Sequence, residues 1–174
     1  MDLKEKIRGV KDFPIPGIMF RDITTLLKDR QALQKAGTIL VDFAKDLKVD
    51  VVAGIESRGF IFGMYLAEKL GAGFVPVRKP GKLPAATYSH SYQLEYGNDT
   101  LEIHQDALFP GAKVLIHDDL LATGGTAEAT ARLIEKAGGE VVQVSFLIEL
   151  TFLNGRTKLQ DYDVRSIVEY HDEN

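Results

Sequence analysis

The densest chemistry in this chain is a pair of aspartates followed by a run of small residues. The segment reads Val114-Leu115-Ile116-His117-Asp118-Asp119-Leu120-Leu121-Ala122-Thr123-Gly124-Gly125-Thr126-Ala127. From Ala122 to Thr126 no side chain is bulky, so the backbone can come close to a ligand. A helix that starts here points unpaired N–H groups and the positive end of its dipole outward, which selects an anion. Thr123 and Thr126 add hydroxyl donors, and a phosphate monoester suits such a cradle. Carboxylates beside a phosphate repel it, so Asp118 and Asp119 are expected to accept hydrogen bonds from sugar hydroxyls. The combination suggests a ribose 5-phosphate. A capping loop after an acidic turn would explain Gly-Gly-Thr alone, but not the whole string between strand and helix. Neither a Gly-Lys-Ser/Thr loop nor a Gly-x-Gly-x-x-Gly loop occurs, which disfavours ATP-driven motors and dinucleotide enzymes.

Other charged residues stand where strands end. Ser57-Arg58-Gly59 follows the apolar run Val51-Val52-Ala53-Gly54-Ile55. An arginine there presents a fixed fork of donors to phosphate oxygens. Glu56 has two readings: it orients Arg58, or it is solvated. Arg78, Lys79 and Lys82 cluster after a second strand, as a solvated charge run or as an anion site. Residues 85–105 alternate, with Tyr88, His90, Tyr92, Leu94 and Tyr96 on one parity, and carry a turn signal at Gly97-Asn98-Asp99. This predicts an inserted β-hairpin, either a surface hairpin or a flap that closes over a site. If the segment is extended, Glu95 and Tyr96 point to opposite faces. The histidines (His90, His104, His117 and His171) show no ligand spacing. With no cysteine, a disulfide scaffold, a thiolate nucleophile, a cysteine zinc site and an iron–sulfur cluster are excluded.

The elements that must hold these residues can be read from periodicity. Apolar positions at Leu33, Ala36, Ile39, Leu40, Phe43, Ala44 and Leu47 predict a helix over 30–47. A helix over 59–70 should stop at Gly71, and one over 124–137 at Gly138-Gly139. Strands are expected at 49–55, 74–77, 112–117, 141–150 and 164–168. Residues 3–8 suggest a short helix, and Phe13-Pro14-Ile15-Pro16-Gly17 forces extended or turn geometry. Alternating strand and helix predict an α/β fold, a mainly parallel sheet flanked by helices. Ligands then sit beyond the C-terminal strand ends, in the loops after Ile55, His117 and Leu150. The 174 residues suit one domain, 1–174, with 45% hydrophobic and 26% charged residues. A net charge of -4 implies no nucleic-acid surface. The absence of a signal-peptide core and of a membrane span points to a soluble, cytoplasmic protein.

The Asp-Asp to Gly-Gly-Thr string resembles the phosphoribosyl pyrophosphate (PRPP) signature of the type I phosphoribosyltransferases. Four further blocks resemble the adenine branch of that family. They are Phe13-Pro-Ile-Pro-Gly-Ile-Met-Phe-Arg-Asp22, Gly54-Ile-Glu-Ser-Arg-Gly-Phe60, Arg78-Lys-Pro-Gly-Lys-Leu-Pro84 and Leu94-Glu-Tyr-Gly97. They follow the family order over nearly the whole chain. His117 departs from the small apolar residue usual before the acids.

The resemblance implies transfer of ribose 5-phosphate from PRPP to adenine N9, giving AMP and pyrophosphate, with Mg2+ held through substrate and water rather than by direct protein ligands. It implies the type I phosphoribosyltransferase fold, with a small N-terminal hood over roughly 1–30 and a flexible β-hairpin flap over roughly 85–105. It also implies a homodimer, with residues 78–82 near the interface. By the same resemblance, Ala122, Thr123, Gly124, Gly125 and Thr126 take the 5-phosphate, and Asp118 and Asp119 the ribose hydroxyls. Ser57, Arg58, Lys79 and Lys82 take pyrophosphate, with Arg78 structural. Met19 and Arg21 read adenine through main chain, and Leu150 packs on the purine face. Phe13 and Phe20 lie nearby, with core packing an equal role for Phe20. Glu95 is expected to reach N7 and, with Arg58 and Lys79, to be catalytic; it either takes the proton or orients the base. Tyr96 is a flap residue. Two alternatives remain: a transferase for another purine base, and a non-catalytic PRPP-binding regulator. The chain has neither room nor charge for an added DNA-binding segment, and the joint presence of Arg58, Lys79, Lys82 and Glu95 favours catalysis.

Overall fold

The computed structural model describes residues 1–93 and 97–173. After a 3-10 turn at Lys4–Lys6 come β1 (Arg8–Lys11), β2 (Met19–Asp22), α1 (Thr24–Lys28), α2 (Arg30–Ala44), β3 (Val51–Ile55), α3 (Gly59–Leu70) and β4 (Gly73–Val77). Then follow β5 (Thr87–Gln93), β6 (Asn98–His104), β7 (Lys113–Leu121), α4 (Gly125–Lys136) and β8 (Glu140–Leu150). Two 3-10 segments, Thr151–Leu153 and Gly155–Leu159, lead into β9 (Val164–Tyr170).

Five strands form one parallel sheet in the order β4-β3-β7-β8-β9. Alternate side chains feed two cores, as a sheet covered on both faces requires. Ala53, Ile55, Val114, Ile116 and Phe146 pack with Ala127, Ala131 and Leu133 of α4. Val52, Leu115 and Leu147 pack with Leu40 of α2 and Phe62 and Leu66 of α3. Asp29 caps α2 by accepting hydrogen bonds from the N–H groups of Gln31 and Ala32. Gly71 ends α3 in the left-handed region at φ 65°, where glycine carries no Cβ penalty.

Three expectations need correction. Residues 3–8 form no regular helix: after the 3-10 turn the chain joins β1, where Arg8 pairs with Asp22 of β2. β7 does not stop at His117 but runs through both aspartates to Leu121. Its neighbour β8 is long enough to pair with it throughout, Asp118 against Phe146 and Leu121 against Glu149. The inserted hairpin exists, but Asn98 and Asp99 stand in β6 opposite Gln93 and Tyr92 instead of turning the chain. Cross-strand contacts hold them there, including a 2.8 Å bond between the Ser91 and Thr100 hydroxyls. A two-way backbone bridge between Arg78 and Glu102 ties the hairpin to the end of β4. Leu94, Glu95 and Tyr96 lie outside the described residues.

His117 sits in mid-strand, wholly buried between Gly54 and Ser145. Its Nδ1 lies 2.9 Å from the Ser145 hydroxyl. Burial pushes its pKa down to about 3, so the ring is neutral. The unfolded chain therefore binds a proton that the native protein refuses between pH 6.5 and 3, and stability falls as pH drops through that window. From pH 7 to pH 5, denaturant unfolding of the wild type is expected to lose about 2 kcal/mol more than that of His117→Val. Equal losses would show that His117 is not buried in its neutral form.

Candidate active site

The small-residue loop leaves β7 at Leu121 and enters α4 at Gly125. Gly124 takes φ 82°, and a Cβ there would overlap the Gly155 carbonyl. A Cβ on Gly155 would in turn overlap the Ala122 carbonyl and lie 2.9 Å from Leu121 Cδ1. The loop and the 3-10 segment Gly155–Leu159 thus meet main chain to main chain. Arg156 holds that segment down. Its guanidinium donates to both oxygens of buried Glu149 at 2.7 Å each, and to the Val164 carbonyl at 2.9 Å. Burial raises Glu149, but hydrogen bonds from Arg156 and Ser166 outweigh it and leave the carboxyl below its usual range. Gly155, Arg156 and Glu149 were not expected from sequence; the Asn154-Gly155 turn dipeptide is their only signal. The loop encloses a small cavity of about 70 Å³.

Asp118 lines that cavity, and Asp119 follows it in β7. Asp118 Oδ1 accepts the Asp119 N–H at 2.8 Å. Burial, reinforced by the Asp119 charge, pushes Asp118 well above the carboxylate range. Asp119 is 5% exposed and pairs with Arg58 Nε. Arg58, expected at pyrophosphate, therefore rests on an expected ribose acid. Its guanidinium also lies 5.1 Å from the centre of the Phe20 ring. Gly59 lets α3 start hard against these acids, since a Cβ would sit 2.8 Å from the His117 carbonyl.

Glu56 resolves differently from both readings: it neither orients Arg58 nor is solvated. Its carboxylate accepts the Lys79 N–H at 2.9 Å, Arg78 Nε at 3.3 Å and Lys82 Nζ. Burial raises its pKa, but the Lys82 and Lys79 hydrogen bonds more than offset this and hold it below its usual range. Glu56 is thus the post that folds the basic turn. Lys79 Nζ pairs with Asp99 of β6. Tyr92 donates to Asp99 at 3.3 Å, and its hydroxyl lies 3.1 Å from Thr126 Oγ1. Ser57, Arg58, Lys79, Lys82, Asp118 and Asp119 all line one cavity of about 570 Å³.

A third cavity, about 380 Å³ and largely apolar, opens between the N-terminal hairpin and the end of β8. Met19, Phe20, Arg21, Leu150, Phe152 and Leu153 line it. The Arg21 side chain is drawn away, its guanidinium 3.9 Å from the centre of the Tyr170 ring and donating to the Glu173 carbonyl at 3.2 Å. Phe13 packs edge-on against Phe20 at 5.1 Å. Leu120 and Ala122 line all three cavities, so the cavities meet around the end of β7. The structure thus brings together every expected site residue except Glu95 and Tyr96, which lie outside the described residues.

Residues 22–173 match the phosphoribosyl transferase domain family. The chain is 58% identical over 170 residues to the adenine phosphoribosyltransferase of Alkaliphilus metalliredigens, covering 98% of this chain and 100% of that one. Among solved structures it is similar to adenine phosphoribosyltransferase from Rhodothermus marinus, with TM-score 0.93 and 56% identity over 97% of this chain and 96% of that one. It is also similar to the Giardia lamblia enzyme complexed with 9-deazaadenine, with TM-score 0.92 and 37% identity over 98% of this chain and 97% of that one.

Because Gly155 abuts the loop backbone, Gly155→Ala is expected to displace the loop. Binding of ribose 5-phosphate, followed by calorimetry, should weaken by roughly 10- to 100-fold while the fold persists. Unchanged affinity would mean that the loop is positioned without this contact.

Proposed function

The chain belongs to the adenine phosphoribosyltransferases, enzymes that move the 5-phosphoribosyl group from PRPP to N9 of adenine and release pyrophosphate, and we propose that it does so with the residues of the three joined cavities, each in the role given below. The observation that supports this reading is the shared lining at Leu120 and Ala122, which joins a small-residue cradle, a charged cavity and an apolar cavity, the three surroundings that a phosphate, a sugar with its diphosphate and a base would need.

In this reading Ala122, Thr123, Gly124, Gly125 and Thr126 bind the 5-phosphate through the amides and hydroxyls at the start of α4. Asp118 and Asp119 accept the ribose hydroxyls. The negative charge of Asp119, beside Asp118, also favours the positive charge that develops at C1 as its bond to pyrophosphate breaks. Ser57, Arg58, Lys79 and Lys82 receive the departing pyrophosphate and neutralise its charge. Glu95 accepts or shares a purine proton while N9 forms its new bond, and Tyr96 contacts the closed site. The main chain at Met19 and Arg21 offers a carbonyl to the exocyclic amine of adenine and an N–H to N1, and Leu150 packs on the ring. A 6-oxo purine there would set an acceptor against an acceptor. The Arg21 side chain is engaged elsewhere, which suits reading by main chain.

The polar cavity sets Glu56, Asp99, Asp119 and Asp118, whose ionisation burial disfavours, against three cations (Arg58, Lys79, Lys82), which leaves no surplus of positive charge. That balance cannot neutralise a diphosphate unaided. Hard oxygen donors with no surplus of positive charge fit Mg2+ that enters with the substrate, coordinated by pyrophosphate, ribose hydroxyls and water. When bound, Mg2+ supplies charge neutralisation for the leaving group.

We read the chain as one phosphoribosyltransferase domain over 1–174, with the β1–β2 hairpin as hood and the β5–β6 hairpin as flap. No helix among the described residues is long and apolar enough to cross a membrane. A cytoplasmic homodimer accords with this reading, and α3 presents exposed Ile61 and Met64 one turn apart for a partner copy.

An AMP-formation assay with PRPP and Mg2+, offering adenine, hypoxanthine, guanine and xanthine in parallel, is expected to turn over adenine alone. Glu95→Gln should lower kcat on the order of 100-fold or more. Turnover of a 6-oxo purine would remove the base assignment and leave the fold standing. An undiminished Glu95→Gln would take Glu95 out of the chemistry.

A further inference from the structure

We propose that Asp99 is the resting counter-ion of the anion site: it occupies Lys79 and, through Tyr92, tethers the phosphate loop, and substrate binding displaces it from both. The inference rests on the reading of Lys79 as a pyrophosphate ligand.

Asp99 stands on β6 directly opposite Tyr92 on β5. Its Oδ1 accepts the Thr100 N–H at 2.8 Å, which fixes the carboxylate. Its Oδ2 takes both the Lys79 ammonium and the Tyr92 hydroxyl. The Tyr92 hydroxyl continues to Thr126 Oγ1. One chain of contacts, Lys79 to Asp99 to Tyr92 to Thr126, therefore crosses the polar cavity from the basic turn to the phosphate loop, and all four residues line it. Both of its ends are groups that an anionic substrate needs. A carboxylate oxygen on Lys79 stands in for a phosphate oxygen.

The other two acids that pair with the cavity's cations are built differently. Glu56 follows β3 directly and accepts a backbone N–H of the basic turn, so it is part of that turn's fold. Asp119 is buried within β7. Asp99 is carried by a two-stranded hairpin outside the main sheet, so it can withdraw without unpairing a sheet strand. Its pair with Lys79 is 42% and 24% exposed, a setting in which one ion pair contributes little and exchanges readily. A diphosphate offers more charge and more acceptor oxygens than one carboxylate, so it wins Lys79. Because Tyr92 hangs from the same carboxylate, the exchange at Lys79 also loosens the tether on Thr126. The two anionic ends of PRPP compete with one residue.

Titration calorimetry of inorganic pyrophosphate with Mg2+ tests this on the wild type, Asp99→Asn, Lys79→Met and the double variant. Asp99→Asn keeps the shape and removes the charge. It is expected to bind pyrophosphate about fivefold tighter and to lower the KM for PRPP, with the KM for adenine unchanged. Asp99→Ser should act in the same direction. In the Lys79→Met background the Asp99→Asn gain should vanish, because the two residues act on each other. Unchanged or weaker pyrophosphate binding by both Asp99 variants, with Lys79→Met still weakening it, would overturn the counter-ion role. An equal gain in both backgrounds would also overturn it, since the effect would then come from net charge alone. If Lys79→Met binds pyrophosphate as well as the wild type, the assignment of Lys79 fails first and the inference with it.

Discussion

The end of β7 is the fixed point of this molecule. Its pairing with β8 continues on both sides of Asp119 to Leu121, so Asp118 and Asp119 stand in a strand and not in a loop. The loop that follows is gripped from the far side by Gly155, at contact too close for any side chain. Arg156 anchors that grip to Glu149 on β8 itself. The same strand pair therefore sets both walls of the small-residue loop. Precision of this kind matters for catalysis by positioning, because displacements near 1 Å can cost large rate factors. The three cavities meet at this one junction.

Much of the layout was legible in the sequence because it rests on local signals. Alternating strand and helix patterns predicted the parallel sheet, and Gly71 closed α3 where the sequence placed a stop. The Gly-Gly-Thr loop lies at a helix start, as its small residues implied. The misses share a physical cause: each was decided by a partner distant in sequence. β7 extends through the aspartates because β8 supplies edges for it to pair with, and the Asp-Asp dipeptide alone carries no sign of that. Asn98-Asp99 has turn chemistry, yet pairing with Gln93 and Tyr92 across the ladder, next to the Ser91–Thr100 hydroxyl contact, keeps both residues in β6. Glu56 stood next to Arg58 in sequence, but the basic turn 78–82 folded onto it. Gly155 gave only a turn signal, because its role is a close approach to a loop some thirty residues upstream.

On the proposed reading, the N-terminal hairpin is a base site that leaves little trace in side-chain chemistry. Most of its lining is apolar, Ile18, Met19 and Phe20 with Leu150 and Phe152 among them, groups that any flat ring would satisfy. The ionic side chain in that stretch, Arg21, is committed to Tyr170 and the Glu173 carbonyl. On the proposed reading, the strand's own N–H and C=O groups discriminate one purine from another. Their donor and acceptor order is set by geometry and is invisible to residue type. Leaving one such group unpaired against a mismatched base costs more than losing an apolar contact, which makes a main-chain reader selective.

A site for a polyanion must also exist without it. Arg58, Arg78, Lys79 and Lys82 gathered at two adjacent strand ends would repel one another if left bare, and like charges in close quarters oppose the compact fold. The chain answers with one carboxylate for each group of cations: Asp119 for Arg58, Glu56 for Arg78 and Lys82, and Asp99 for Lys79. The pairs keep long side chains aimed into the cavity, so less rotamer freedom remains to be lost when a ligand arrives. They also set a threshold. A ligand with a single weak charge gains little by exchanging with a carboxylate already in place. A diphosphate exchanges with several at once and comes with its own divalent cation. On the proposed reading, the same acids that stabilise the cleft bias it toward multiply charged ligands, so selectivity for a diphosphate would derive from competition within the cleft as well as from the cations themselves.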